Sequence, residues 1–185
     1  MAVTGWGKPS IFVKRLDKAA EGEYPWKKID TPKEDTTQLN PTKGDVLEAK
    51  EEGGATIDKK TKKSTYNLVY QLYVKKNKKQ PFTSIDGIIE GEYAVAVQPE
   101  DSKGTGIYIG KSTIGTEEGF TSADGGLITY THSALVPEGD ETAKVTLEDN
   151  TEEFAQVIWK VITATKDTTA STDGYKLEFK DPSEG

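Results

Sequence analysis

The sequence predicts a mainly β fold, an antiparallel β-sandwich or barrel with one short helix, and three observations carry that prediction. Apolar and polar residues alternate with period two over several stretches, those stretches are rich in β-branched and aromatic residues, and Gly, Pro and Asp separate them. At 185 residues the chain is the size of one ordinary domain, spanning 1–185.

In chain order, residues 10–14, 25–29, 45–50 and 55–59 alternate briefly and read as strands. Residues 64–74 alternate most cleanly: Tyr66, Leu68, Tyr70, Leu72 and Val74 share one face, and Thr65, Asn67, Val69, Gln71 and Tyr73 the other. The one predicted helix lies at 83–90, where Thr83 or Ser84 offers a cap and Ile85, Ile88 and Ile89 follow three-to-four spacing. Residues 93–98 put Tyr93, Val95 and Val97 opposite the small Ala94 and Ala96, a pattern expected where another layer approaches closely. Residues 126–136 form a longer strand, expected to pair with 93–98 or 107–114. Strands are also expected at 142–147, 155–164 and 175–180. For 152–161 a helical stripe of Phe154, Ile158 and Val161 competes with β-branching, and the β-branching favours strand.

Turns are expected at Gly53-Gly54, 99–106, Asp124-Gly125-Gly126, 137–140 and Asp173-Gly174. Connections this short require antiparallel meanders, because parallel neighbours need long crossovers. Two segments look mobile, 40–63 and 166–174. The first reads as an exposed, charged hairpin arm turning at Gly53-Gly54. A two-stranded ribbon of this kind is only marginally stable alone in water and needs a partner.

The chain has no cysteine, so no disulfide or thiolate metal site can hold it. Its formal charge of −7 disfavours general affinity for nucleic acid or anionic membrane. No apolar run of about 18 residues exists to span a membrane, and residues 1–20 hold no signal-peptide core, so cytoplasmic residence is expected.

The residues assemble no expected catalytic, cofactor or metal site. The single histidine, His132, has no second histidine or cysteine with which to share a metal. Its neighbour Ser133 points to the opposite face of a strand and makes no dyad. Acids close in sequence at Glu90 and Glu92, Glu100 and Asp101, Glu117 and Glu118, and Glu152 and Glu153 read as solvated surface. The runs 17–24 and 140–149 lack calcium-loop spacing, and Gly104-Thr105-Gly106 precedes a strand, as a turn does, rather than the helix of a phosphate loop. Lysines from Lys59 to Lys79 interleave with Tyr66, Tyr70 and Tyr73. That pattern could serve single-stranded nucleic acid, but charges at the ends of an uncharged strand read better as edge protection.

Gly7-Lys8-Pro9-Ser10-Ile11-Phe12-Val13-Lys14, Thr36-Thr37-Gln38-Leu39, Thr42-Lys43-Gly44-Asp45 and Glu48-Ala49-Lys50-Glu51-Glu52-Gly53-Gly54 together make the chain resemble the major tail-tube proteins of tailed bacteriophages. These are similar in turn to the tube proteins of type VI secretion. The resemblance covers residues 5–165 as an order of elements; residues 166–185 continue beyond it as an added strand or tail. It implies a compact β-sandwich or barrel whose copies close into hexameric rings, and rings that stack into a tube. Such a tube would lie in the virion tail after assembly in the host cytoplasm, and would pass DNA without binding it specifically. The implied partners are other copies and other tail proteins, with no membrane. The arm at 40–63, including Asn40, Lys43, Asp45, Glu48, Gly53, Gly54, Asp58 and Lys60, would make the inter-ring contact. The competing expectation is a carbohydrate- or surface-binding β-sandwich that presents Trp6, Trp26 and Tyr108 to its ligand.

Overall fold

The computed structural model describes residues 6–19, 22–169 and 174–182. Among these, fifteen strands and a single 3₁₀ turn are formed: β1 Ser10–Arg15, β2 Lys18–Ala19, β3 Gly22–Glu23, β4 Lys27–Lys28, β5 Gln38–Thr42, β6 Val46–Lys50, β7 Thr56–Thr61, β8 Thr65–Tyr73, β9 Tyr93–Gln98, β10 Thr105–Thr121, β11 Gly125–Ala134, the turn Glu141–Ala143, β12 Lys144–Thr146, β13 Glu152–Phe154, β14 Ile158–Lys166 and β15 Tyr175–Lys180. Every ladder is antiparallel; short turns impose this on neighbours such as β6–β7 and β10–β11, whereas β1–β9, β8–β11 and β10–β14 pair across long stretches of sequence, so the sheet is not the simple meander expected.

Nine strands form one sheet in the order β4-β1-β9-β10-β11-β8-β5, with β14 and β15 branching from β10. The branch follows from the length of β10. Its first half pairs Thr105–Tyr108 with β14, and after a register shift between Ile109 and Ser112 its second half pairs with β11. One long strand thus belongs to both layers of a β-sandwich-like fold. A single bridge between Trp26 and Tyr175 brings the ends of the smaller layer together, and no closed barrel forms.

Alternation on β1, β9 and β10 feeds two cores. Ile11, Val13, Val95, Val97, Ile107 and Ile109 face the larger one, where they meet Leu68, Tyr70, Leu72, Tyr130 and Phe82. Phe12, Ala96 and Tyr108 face the smaller one, closed by Ile158 and Ile162 from β14 and by Tyr175, Leu177 and Phe179 from β15. The small residues of β9 therefore sit where a second layer packs closely, and the segment beyond residue 165 supplies a working strand of that layer.

The expected helix at 83–90 does not form. Ile85 and Ile88 exchange backbone hydrogen bonds of 3.0 Å in both directions, and Asp86 and Gly87 between them have φ of 50° and 84°. This is a tight two-residue turn of the kind Asp-Gly favours, since both central residues need positive φ. Ile88 also bridges to Gly115 on β10, so the segment extends the sheet. The strand expected at 142–147 is shortened to β12 because Asp140 caps the 3₁₀ turn before it, accepting from the Thr142 N–H at 3.0 Å. The turn expected at Asp173-Gly174 lies partly outside the described residues.

Candidate functional site

The segment at 40–63 divides in two. Asn40 belongs to the body of the molecule, paired with Asn67 where β5 runs along β8, and Pro41 sits on that outer edge where its missing N–H costs no ladder bond. The projecting arm is the β6–β7 hairpin, and every residue from 45 to 63 is exposed. Lys43 and Gly44 form its base. A Cβ at position 44 would lie 2.0 Å from the Lys62 carbonyl oxygen, so only glycine lets the two chains approach there. The Asp45 carbonyl accepts from the Lys62 N–H at 2.9 Å and closes the stem. At the tip Gly53 and Gly54 adopt φ of 98° and 89°, and the Gly54 N–H donates to the Glu51 carbonyl at 3.0 Å.

Electrostatics along the arm are uneven. Glu48 is held by Lys59 at 3.0 Å and by Lys50 at 3.6 Å. Lys60 lies opposite Leu47, and Asp58 opposite Ala49. Glu51 and Glu52 have no ion-pair partner among the described residues, so the tip is acidic while Lys59, Lys60, Lys62 and Lys63 make the stem basic. Val46, Leu47 and Ile57 are exposed apolar side chains on the same ribbon. A hairpin this bare of packing has only its own ladder to hold it.

At the opposite end of β8 lies a second charged feature. Lys75 Nζ donates to Asp30 at 3.1 Å and Lys78 pairs with the same carboxylate; the Lys78 hydrogen bond is the leading cause of its lowered pKa. A pocket of about 320 Å³ opens beside them, lined also by Lys27, Lys28 and Lys79.

His132 sits at the centre of the larger core, fully buried. Tyr70 Oη is 2.8 Å from Nε2, Ser112 Oγ is 3.2 Å from Nδ1, and the Ser112 hydroxyl donates to the Tyr93 carbonyl at 2.8 Å. With its own proton committed to Tyr93, Ser112 must accept from Nδ1–H. Nε2 is then the acceptor for the Tyr70 hydroxyl, and all four groups are satisfied. Burial lowers the His132 pKa to about 3, so the ring is neutral. The sequence neighbour Ser133 is exposed and makes no dyad, as expected, whereas cross-strand register delivers Ser112, which is fully buried like its partner. The triad is a buried internal polar lock.

The acids paired in sequence are drawn to separate partners. Glu92 meets Lys111 at 3.4 Å, Glu100 accepts from the Lys8 backbone N–H at 3.1 Å, Glu118 accepts from Ser84 at 2.9 Å, and Glu152 and Glu153 bind Lys144 and Lys63. Among the described residues no cluster of three potential metal ligands exists. The lysine–tyrosine stripe is not a stacking platform, because Tyr70 is wholly inside the core. Tyr108 is likewise buried against Phe179, and donates to Asp140, so the expected trio of ligand-facing aromatics is not assembled. Trp6 instead meets Trp159 edge-on at 6.3 Å in a cleft of about 810 Å³ that also takes in Leu39 and Pro32. No helix among the described residues is long and apolar enough to cross a membrane.

Neither protein-family models nor curated proteins yield a match to the chain.

Proposed function

We propose that this chain is a structural subunit whose copies assemble into stacked rings, forming a tube that conducts DNA in the manner of the tail-tube proteins it resembles. The observation that carries the proposal is the β6–β7 arm. Its residues are exposed throughout, it displays Val46, Leu47 and Ile57 to solvent, and it springs from a body that is otherwise well packed. Exposed apolar side chains on a bare ribbon are costly in isolation and become favourable when another copy covers them. Phe120 and the turn residues Ile85 and Ile88 add apolar surface elsewhere on the body, as contacts around a ring require.

The acidic balance suits a conduit that repels a passing polyanion. Light scattering across a concentration series, followed by negative-stain electron microscopy, tests the proposal. Hollow rings or tubes are the expected result. A monomer at every concentration overturns it.

A second reading rests on the Trp6–Trp159 cleft. Trp159 is 52 % exposed beside a partly buried Trp6, an arrangement that suits a sugar face. Glycan binding quenched by Trp159→Ala, in a protein that remains monomeric, would favour it over assembly.

A further inference from the structure

The two ends of β8 lead to unlike features, the arm at one and a lysine-lined pocket at the other. β5 leaves the sheet at Thr42, paired with Thr65, and the chain passes through the arm before returning to begin β8, so the arm springs from the Thr65 end. The Tyr73 end runs into the loop bearing Lys75, Lys76, Lys78 and Lys79, beside the pocket floored by Val13, Ile29 and Leu72. Asp30 is the only carboxylate in that lining, set against five lysines. Lys75 and Lys78 are engaged with Asp30, whereas Lys27, Lys28 and Lys79 have no ion-pair partner among the described residues. In a chain of net charge −7 this is a concentrated positive site. The arm tip is its complement, with Glu51 and Glu52 unpaired on a solvent-exposed turn.

We propose that the lysine pocket receives the acidic arm tip of a second copy, so that copies stack head to tail along the direction of β8. The inference rests on the self-assembly proposed above and names the contact that stacks the rings. At about 3.3 Å per residue step, the six steps from Asp45 to Glu51 reach about 20 Å, whereas the eight steps along β8 separate the arm base from the pocket by about 26 Å. The tip therefore falls short of its own pocket and meets that of a neighbour. A two-fold pairing in which each tip enters the other copy's pocket would stop at a dimer, whereas a head-to-tail pairing leaves one free tip and one free pocket at opposite ends, the condition for the open-ended growth that stacked rings need. Tyr73 and Val74 are exposed at the pocket end and offer apolar cover to the arm's Val46, Leu47 and Ile57.

The test uses the full chain. Carbodiimide cross-linking of mixed ¹⁵N-labelled and unlabelled protein should give links between copies joining Glu51 or Glu52 to Lys28, Lys75 or Lys79. The double variant Glu51→Lys/Glu52→Lys should require at least about tenfold more protein to stack, because it sets like charges together. Adding Lys28→Glu/Lys79→Glu to the same chain should restore stacking to within about threefold of wild type, the signature of direct coupling. All four side chains are exposed, and circular dichroism of each variant verifies the fold.

Stacking by the arm variant at the wild-type concentration, or inter-copy links that avoid the lysine pocket, overturns this contact and leaves self-assembly standing. A wild-type chain that neither stacks nor cross-links between copies overturns both. If Lys28→Glu/Lys79→Glu abolishes retention of DNA while stacking is unchanged, the pocket is a polyanion site and arm docking is refuted.

Discussion

Acidification from pH 7 to pH 5 should destabilise this protein through one residue. His132 is the sole histidine, fully buried and neutral, with its pKa lowered from about 6.5 in the unfolded chain to about 3 by desolvation. A base with a depressed folded pKa is protonated first in the unfolded state, so the unfolded state binds more protons between these values and stability falls with pH. The stabilisation is fully present above about pH 6.5 and is lost progressively down to about pH 3. Linkage at 1.36 kcal/mol per unit gives a loss of about 2 kcal/mol between pH 7 and pH 5. For a urea m-value of about 2 kcal/mol/M, the unfolding midpoint should drop by about 1 M. The window is clean, because the carboxylates with lowered pKa values, Asp30, Asp149 and the exposed Glu23, titrate below it. Urea unfolding of dilute protein at pH 7, 6 and 5, repeated on His132→Asn, is the assay. A midpoint that does not move in the wild type, or that moves equally in the variant, refutes the reasoning.

Tyr70→Phe removes the donor to Nε2 while keeping the ring that stacks on Tyr130, and should cost about 1–3 kcal/mol through the unpaired buried nitrogen, read as a lowered denaturant midpoint. Ile162→Ala opens the smaller core at a fully buried position and should cost about 2–5 kcal/mol, measured in the same way; a loss below about 1 kcal/mol would mean that this layer does not pack as described. Replacing residues 46–61 with a short Gly-Ser turn should leave the thermal midpoint of the body within about 3 °C, because the removed residues are all exposed, and should abolish self-association in sedimentation.

Strands were the most legible part of the sequence because period two survives wherever one face is buried. The core strands β8 and β9 come out as the alternation of Leu68, Tyr70 and Leu72, and of Tyr93, Val95 and Val97, requires. The helix at 83–90 failed because Ile85, Ile88 and Ile89 match helical spacing by coincidence, while Asp86-Gly87 between Ile85 and Ile88 is a local turn signal of greater strength. Two positive φ values are tolerated there and nowhere inside a helix. The branching of the sheet at β10 was not legible. Which neighbour pairs with each half depends on contacts with β14, some fifty residues away in sequence, and no local pattern encodes that.

The candidate site divides along the same line. The arm could be read from Gly53-Gly54 and the surrounding charge, since turn chemistry and polarity are local properties. The Tyr70–His132–Ser112 lock could not, because its members come from three strands whose register only the folded sheet defines. The lysine pocket is an intermediate case. Lys75, Lys78 and Lys79 were visible as a cluster, but their reading as edge protection left out Lys27 and Lys28, which β4 brings to the same opening. That addition changes what the cluster can do. Lysines dispersed on a loop repel one another and are each solvated, whereas five lining one small concavity with a single shared carboxylate leave an excess of positive charge around it, where a second carboxylate gains more than it would on an open surface. The structure places that excess at the end of β8 away from the acidic arm tip, and the proposed head-to-tail contact draws on that separation.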